Sequence, residues 1–128
     1  MYTKRDIINL CDDLNGVLPK NCWWVSYKAA MVLYGIVDSC RDLDICGTKE
    51  VSEHLEHLGI KPETTPLGGK KYNLVSTGLI EFYETESRNT NRVYGINVEK
   101  ASELLELYKS MNRDKDRETI KLLHEYLL

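Results

Sequence analysis

Asp42 and Asp44 flank a single leucine in the stretch Arg41-Asp42-Leu43-Asp44-Ile45. On an extended backbone, residues two apart project from the same face. Both carboxylates then point one way, while Leu43 and Ile45 point into a core. Two carboxylates converging on one divalent cation are the first requirement of metal-assisted phosphoryl or nucleotidyl transfer. Glu81 lies between Ile80 and Phe82, so on a strand it faces away from them in the same manner. A third acid on a neighbouring strand would ligate the cation or take a proton from an attacking hydroxyl. The plainer use of all three is as solvated acids on an exposed strand and hairpin.

Cations are present farther along. Lys109 and Arg113 are four residues apart and are expected to share one helical face. There they would pair with the acidic centre or clamp a triphosphate, or else belong to a solvated, charge-rich turn between helices. Lys70-Lys71, Arg88 and Arg92 would form a basic rim for RNA or a nucleotide, or serve as ordinary surface charge. Trp23 and Trp24 are adjacent, so one faces each side of a strand, and core packing is favoured over base stacking. His54 and His57 are three apart with no third ligand in view, the pattern of a solvated helix rather than a metal site. No phosphate-binding Walker loop, Gly-x-Ser-x-Gly elbow or Cys-His pair occurs.

These residues need elements to position them. Thr3 caps an expected helix running to about Asn15, with Ile7, Cys11 and Leu14 inward and Gly16 as its stop. Cys22 to Val25 reads as a short strand, Tyr27 to Tyr34 as a small-residue helix closed by Gly35, and Cys40 to Cys46 as the strand bearing both aspartates. Thr48 caps a third helix that buries Val51, Leu55 and Leu58 and ends at Gly59. Pro62 and Pro66 mark a loop or edge strand, and Gly68-Gly69 a hairpin turn. Strands are expected over Tyr72 to Val75 and Leu79 to Tyr83, joined through Ser76-Thr77-Gly78, and over Val93 to Ile96 after a polar loop from Glu84 to Arg92. Two helices follow. The first has Ala101, Leu104, Leu105, Tyr108 and Met111 on one face. The second starts near Lys115, with Ile120, Leu123 and Leu127 at 3–4 spacing. This order predicts one α/β (α+β) domain over residues 1–128, a mixed sheet flanked by helices with two helices at the C-terminus.

The totals fit. A chain of 128 residues with 42% hydrophobic and 29% charged residues forms one globular core. A net charge of −3 carries no polyanion-binding signature. Cys11, Cys22, Cys40 and Cys46 form no CxxC pair and sit in apolar segments, which predicts reduced, buried thiols and a cytoplasmic protein. Lys4, Arg5 and Asp6 interrupt any leader-like start, and no apolar run is long enough to enter a membrane.

From Asn21 to Leu123 the chain resembles a minimal nucleotidyltransferase of the DNA polymerase β superfamily, similar to abortive-infection toxin nucleotidyltransferases and small antibiotic-modifying enzymes. The resemblance rests on Ala30-Met-Val-Leu-Tyr-Gly35, on Ser39-Cys-Arg-Asp-Leu-Asp-Ile45, on Ile80-Glu81-Phe82, and on a Leu-x-x-x-Lys helix followed by Arg-x-Lys-Asp within Leu104 to Ile120. It implies a nucleotidyltransferase-like mixed sheet and transfer of a nucleoside monophosphate from an NTP to a hydroxyl of a tRNA, a protein or a small molecule. Mg2+ or Mn2+ would be held by Asp42, Asp44 and Glu81, with Lys109 and Arg113 positioning phosphates. A toxin or defence role is implied with it. Where the family's Gly-Gly or Gly-Ser turn meets the phosphates, this chain reads Val25-Ser26-Tyr27-Lys28-Ala29. Either Lys28 and Ser26 replace the bare amides with a cation and a hydroxyl, or a filled pocket leaves a catalytically silent fold that binds a protein or nucleic acid, as a phage or mobile-element protein would. With only two short helices after the sheet, the acceptor would sit in an open groove, on a second copy in a homodimer, or on a partner protein.

Overall fold

The computed structural model describes residues 1–66, 68–75 and 79–128. The chain begins with β1 (Tyr2–Thr3) and α1 (Lys4–Asn15). Thr3 and Asp6 close a reciprocal capping box, Thr3 Oγ1 accepting from the Asp6 amide while Asp6 accepts from the Thr3 amide. After β2 (Trp23–Val25) and α2 (Tyr27–Leu33) come β3 (Ser39–Cys40) and β4 (Leu43–Gly47). The single strand expected over Cys40 to Cys46 is thus broken. Arg41 and Asp42 lie between β3, which pairs with β1, and β4, which enters the main sheet.

Next are α3 (Lys49–His57), β5 (Glu63–Thr64), β6 (Lys70–Asn73), β7 (Ile80–Glu84), β8 (Thr90–Val93) and β9 (Ile96–Glu99). The connection expected through Ser76-Thr77-Gly78 lies outside the described residues. The strand expected over Val93 to Ile96 is instead a turn. Tyr94 (φ 51°) and Gly95 (φ 74°) both adopt the left-handed region that a two-residue hairpin demands, and β8 and β9 pair across them. Helices α4 (Ala101–Met111) and α5 (Arg117–Leu127) end the chain, joined by a single 3₁₀ turn over Asp114–Asp116.

Seven strands form one mixed sheet in the order β5-β6-β7-β4-β2-β9-β8. The acid-bearing β4 lies at its centre, antiparallel to β2 and parallel to β7. Central strands buried on both faces read as apolar runs, and β2 is Trp-Trp-Val with all three residues buried. Leu43 and Ile45 of β4 join Phe82 of β7, Ala29 to Leu33 of α2, and Val51 and Leu55 of α3 in one core cluster. The other face of β4, bearing Asp44, is left for chemistry. Gly47 ends β4 where a side chain would not fit: a Cβ there would lie 2.5 Å from the Cys22 carbonyl oxygen and 2.7 Å from Phe82 Cε2.

Candidate active site

Alternation along β4 and its parallel register with β7 assemble the acids. Asp44 and Glu81 are direct Cα partners, and Ile45 pairs with Phe82 on the buried side. Asp42 stands just before β4, where the Cys40 thiol donates to its carbonyl oxygen at 3.2 Å. Oδ1 of Asp42 and Oδ1 of Asp44 are both buried and have no hydrogen-bond partner among the described residues. The nearest cation to Asp42 Oδ1 is Arg41 Nε, 3.7 Å away on a largely exposed side chain. Buried carboxylate oxygens without partners are costly. Asp44 registers that cost: its pKa is pushed up to about 7, chiefly by burial, then by the negative charges of Glu81 and Asp42, with Lys71 pulling the other way.

Glu81 is satisfied already. Its Oε2 lies 2.5 Å from Lys71 Nζ of β6, and that ammonium also reaches Glu63 Oε2 of β5 at 3.7 Å. The pairing raises the Lys71 pKa, the bond to Glu81 being the largest cause. Among the described residues, no three His, Cys, Asp or Glu side chains are grouped to hold one metal ion. Glu81 thus has a cation beside it, whereas one oxygen each of Asp42 and Asp44 has no hydrogen-bond partner among the described residues. The donors present suit Mg2+ or Mn2+, which are commonly held by one or two carboxylates plus substrate phosphates and water.

A cavity of about 530 Å³ opens over the two aspartates. Lys28 of α2 and Arg113, Lys115 and Asp116 of the α4–α5 connection supply its charged wall. Tyr27, Tyr83 and Tyr108 supply its aromatic wall. Arg113 Nε is anchored to Asp116 Oδ2 at 2.6 Å, which aims the guanidinium by fixing its base. Lys28 lies in this wall, while three other placements differ from those expected. Lys109 and Arg113 do not share a helical face. Asn112 adopts the left-handed conformation (φ 47°) and ends α4, leaving Lys109 exposed on the helix and away from the cavity. Lys115, not singled out from spacing, takes the place expected of Lys109. Ser26 Oγ is fully buried and donates to Glu99 Oε1 at 2.6 Å, so its hydroxyl serves the core rather than the cavity.

The turn that lacks glycine keeps a glycine-like backbone. Tyr27 sits at φ 54°, a left-handed conformation that costs a bulky residue about 1–2 kcal/mol. Its ring repays part of this by packing edge-on to Tyr108, with centroids 5.9 Å apart, and obliquely to Tyr83 at 6.2 Å. Burial, followed by the nearby Cys46, Asp44 and Glu99, pushes the Tyr27 hydroxyl up to about 12. Glu99, whose other oxygen accepts from Arg88 at 3.0 Å, closes the base of this region. The remaining residues of interest are structural. His54 Nε2 lies at donor distance, 2.8 Å, from the Val17 carbonyl oxygen, both tryptophans are buried, and all four cysteines are free with three of them buried.

A central strand that presents Asp44 and is preceded directly by Asp42, with a parallel neighbour presenting Glu81 and two C-terminal helices closing the cleft, defines a nucleotidyltransferase-like α+β fold. Solved structures agree. The solution structure of the antibiotic-resistance factor ANT(2'')-Ia superposes with a TM-score of 0.57 at 15% identity, over 98% of this chain and 83% of that one. The same factor in complex with adenylyl-2''-tobramycin gives 0.55 at 15% identity, over 97% and 87%. The lincosamide antibiotic adenylyltransferase LnuA, lincomycin-bound, gives 0.54 at 16% identity, over 92% of each chain. No family model matches the sequence, and no curated protein matches it.

Proposed function

We propose that this protein transfers a nucleoside monophosphate from an NTP to a hydroxyl group of a small-molecule acceptor. The observation that carries the reading is the pair of buried, unpartnered oxygens, Asp42 Oδ1 and Asp44 Oδ1, at the floor of a cavity walled by Lys28, Arg113 and Lys115. Carboxylates kept unpaired in this way suit a cation, and the three basic side chains suit the phosphates that accompany it. The neighbours in fold include an adenylyltransferase of a lincosamide antibiotic and a complex with an adenylylated tobramycin, which favours a small polyhydroxylated acceptor over RNA or protein. A toxin or defence role rests on the sequence resemblance alone.

Asp42 and Asp44 would hold Mg2+ or Mn2+, which when bound neutralises charge on the triphosphate. The chain does the rest by position and charge. Lys28 and Lys115 contribute mobile ammonium groups to phosphate oxygens, and Arg113, braced by Asp116, contributes a fixed guanidinium. The tyrosine wall excludes water from one side of the reacting centre. Glu81 is the candidate to receive the acceptor proton, through the oxygen not bonded to Lys71.

One observation favours a second reading, a silent fold that binds without turnover: Tyr27 occupies the turn where phosphates would approach backbone amides. Incubation with α-labelled NTPs, Mn2+ and a panel of aminoglycosides, lincosamides and other polyols distinguishes the two. Label transfer that vanishes in Asp42→Asn and Asp44→Asn supports the enzyme. Absence of transfer, with no melting shift on adding Mn2+ and NTP, sinks it.

A further inference from the structure

Lys71 Nζ lies 2.5 Å from Glu81 Oε2, on the strand next to the one that carries this acid. Sites for phosphoryl and nucleotidyl transfer often use two divalent ions about 4 Å apart, sharing one carboxylate and each having a further one. In this chain Asp44 is the shared position. Asp42 is its partner on one side, and Glu81, its Cα partner across the β4–β7 pairing, is its partner on the other. The two sides are not alike. On the Asp42 side Oδ1 of each aspartate is buried without a hydrogen bond and the nearest cation is the exposed Arg41 at 3.7 Å, whereas on the Glu81 side an ammonium is already seated at 2.5 Å.

That ammonium is built in rather than incidental. Lys71 belongs to β6, between β5 and β7 in the sheet, and is held from both flanks by Glu63 and Glu81. Its Cα partner on β7 is Tyr83, a residue of the cavity wall, so its side chain runs along the sheet face that carries Asp44 and Glu81. A divalent ion bridging Asp44 and Glu81 would have to expel a cation with two carboxylate partners.

We propose that Lys71 substitutes for the second metal ion, making this a one-metal site: Asp42 and Asp44 take a single divalent cation, and the Lys71 ammonium supplies the positive charge on Glu81. The inference rests on the reading of Asp42 and Asp44 as a cation site and deepens it. The consequence is that Glu81 is not a metal ligand and that Lys71 is a positioning residue for it.

Counting Mn2+ ions tests this without reference to turnover. Metal-free full-length protein is titrated with Mn2+ alone and the bound ion is followed by electron paramagnetic resonance. The wild type is expected to bind one Mn2+. Glu81→Gln should leave its affinity within about twofold, whereas Asp44→Asn should weaken it by at least about tenfold. Lys71→Met should gain a second Mn2+, and Lys71→Met/Glu81→Gln should lose it again. Two ions in the wild type, a tenfold loss in Glu81→Gln, or a single ion in a folded Lys71→Met protein overturns the inference. If Lys71→Met fails to fold, the wild-type count and Glu81→Gln decide it. No Mn2+ bound to the wild type would sink the cation site and this inference together, whereas two ions would sink only the inference.

Discussion

Asp44 lies half-buried on the central strand, and burial with two negative neighbours raises its pKa from 3.8 to about 7. In the unfolded chain the group titrates near its ordinary value. The folded protein therefore binds the extra proton between about pH 4 and pH 7, and this residue's contribution to stability is lost as pH rises through that window. A metal-free sample should accordingly unfold at lower denaturant at pH 8 than at pH 6. Asp44→Asn should raise the melting temperature at pH 8 by roughly 5 °C while abolishing nucleotidyl transfer, which calorimetry and the labelling assay check. Tyr27 combines backbone strain with favourable ring packing. Replacing it with glycine relieves a left-handed bulky residue but removes an aromatic ring from contact with Tyr83 and Tyr108. The loss of packing, about 3–5 kcal/mol, exceeds the about 1–2 kcal/mol regained, so Tyr27→Gly should be less stable by roughly 2–3 kcal/mol in urea titration. The same substitution widens the cavity beside Asp44, so NTP affinity measured by equilibrium dialysis should rise.

Three elements hold one another through a buried charge. Glu99 ends β9 with no solvent exposure, and its carboxylate accepts from Ser26 at the start of α2 and from Arg88 in the segment between β7 and β8. The Glu99 carbonyl oxygen also accepts from Tyr34 Oη at 2.7 Å, fixing the far end of α2. The turn that carries Tyr27 and Lys28 is thus positioned from beneath by an ion pair whose residues have no part in the cavity. Arg88→Ala strands a buried carboxylate and should cost about 3 kcal/mol. Arg88→Ala/Glu99→Gln should recover most of that loss, because an uncharged amide in the same place still accepts from Ser26. A double-mutant cycle by chemical denaturation measures the recovery.

At the scale of the molecule, the cavity draws on three separate parts of the chain: α2, the β4–β7 pair, and the α4–α5 connection. At that face the contacts of Tyr27 with Tyr83 and Tyr108 already join them, and a ligand that touches all three should tie them more tightly. Hydrogen exchange in the presence of Mn2+ and NTP should slow jointly over 27–30, 42–46 and 113–119, and remain unchanged over β8 at the opposite sheet edge. Protection confined to one of the three segments would count against a shared substrate site.

Much of the architecture was legible because it is written in local periodicity. Alternation around Leu43 and Ile45 identified the face that bears Asp44, and the 3–4 spacing of Leu104, Leu105 and Tyr108 identified a helix. Capping residues such as Thr3 set a boundary within a residue of where it lies. A two-residue period places side chains without any knowledge of neighbours, which covers Asp44, whereas Asp42 falls in the break between β3 and β4 that the period did not show. What needed the fold is whatever depends on contact between distant segments. The hairpin at Tyr94-Gly95 carries no Asn-Gly signature, and the helix stop at Asn112 separates Lys109 from Arg113 by backbone conformation rather than by count. Ser26 looked like a phosphate ligand until Glu99, 73 residues away in sequence, claimed its hydroxyl. The Lys71 ammonium beside Glu81 comes from a neighbouring strand that spacing around Glu81 does not reveal. The sequence by itself determined which side chains share a face within an unbroken strand or helix. Only the tertiary structure decided which of them remain unpaired, because a charge is satisfied by whatever the folded chain brings within a few ångströms of it.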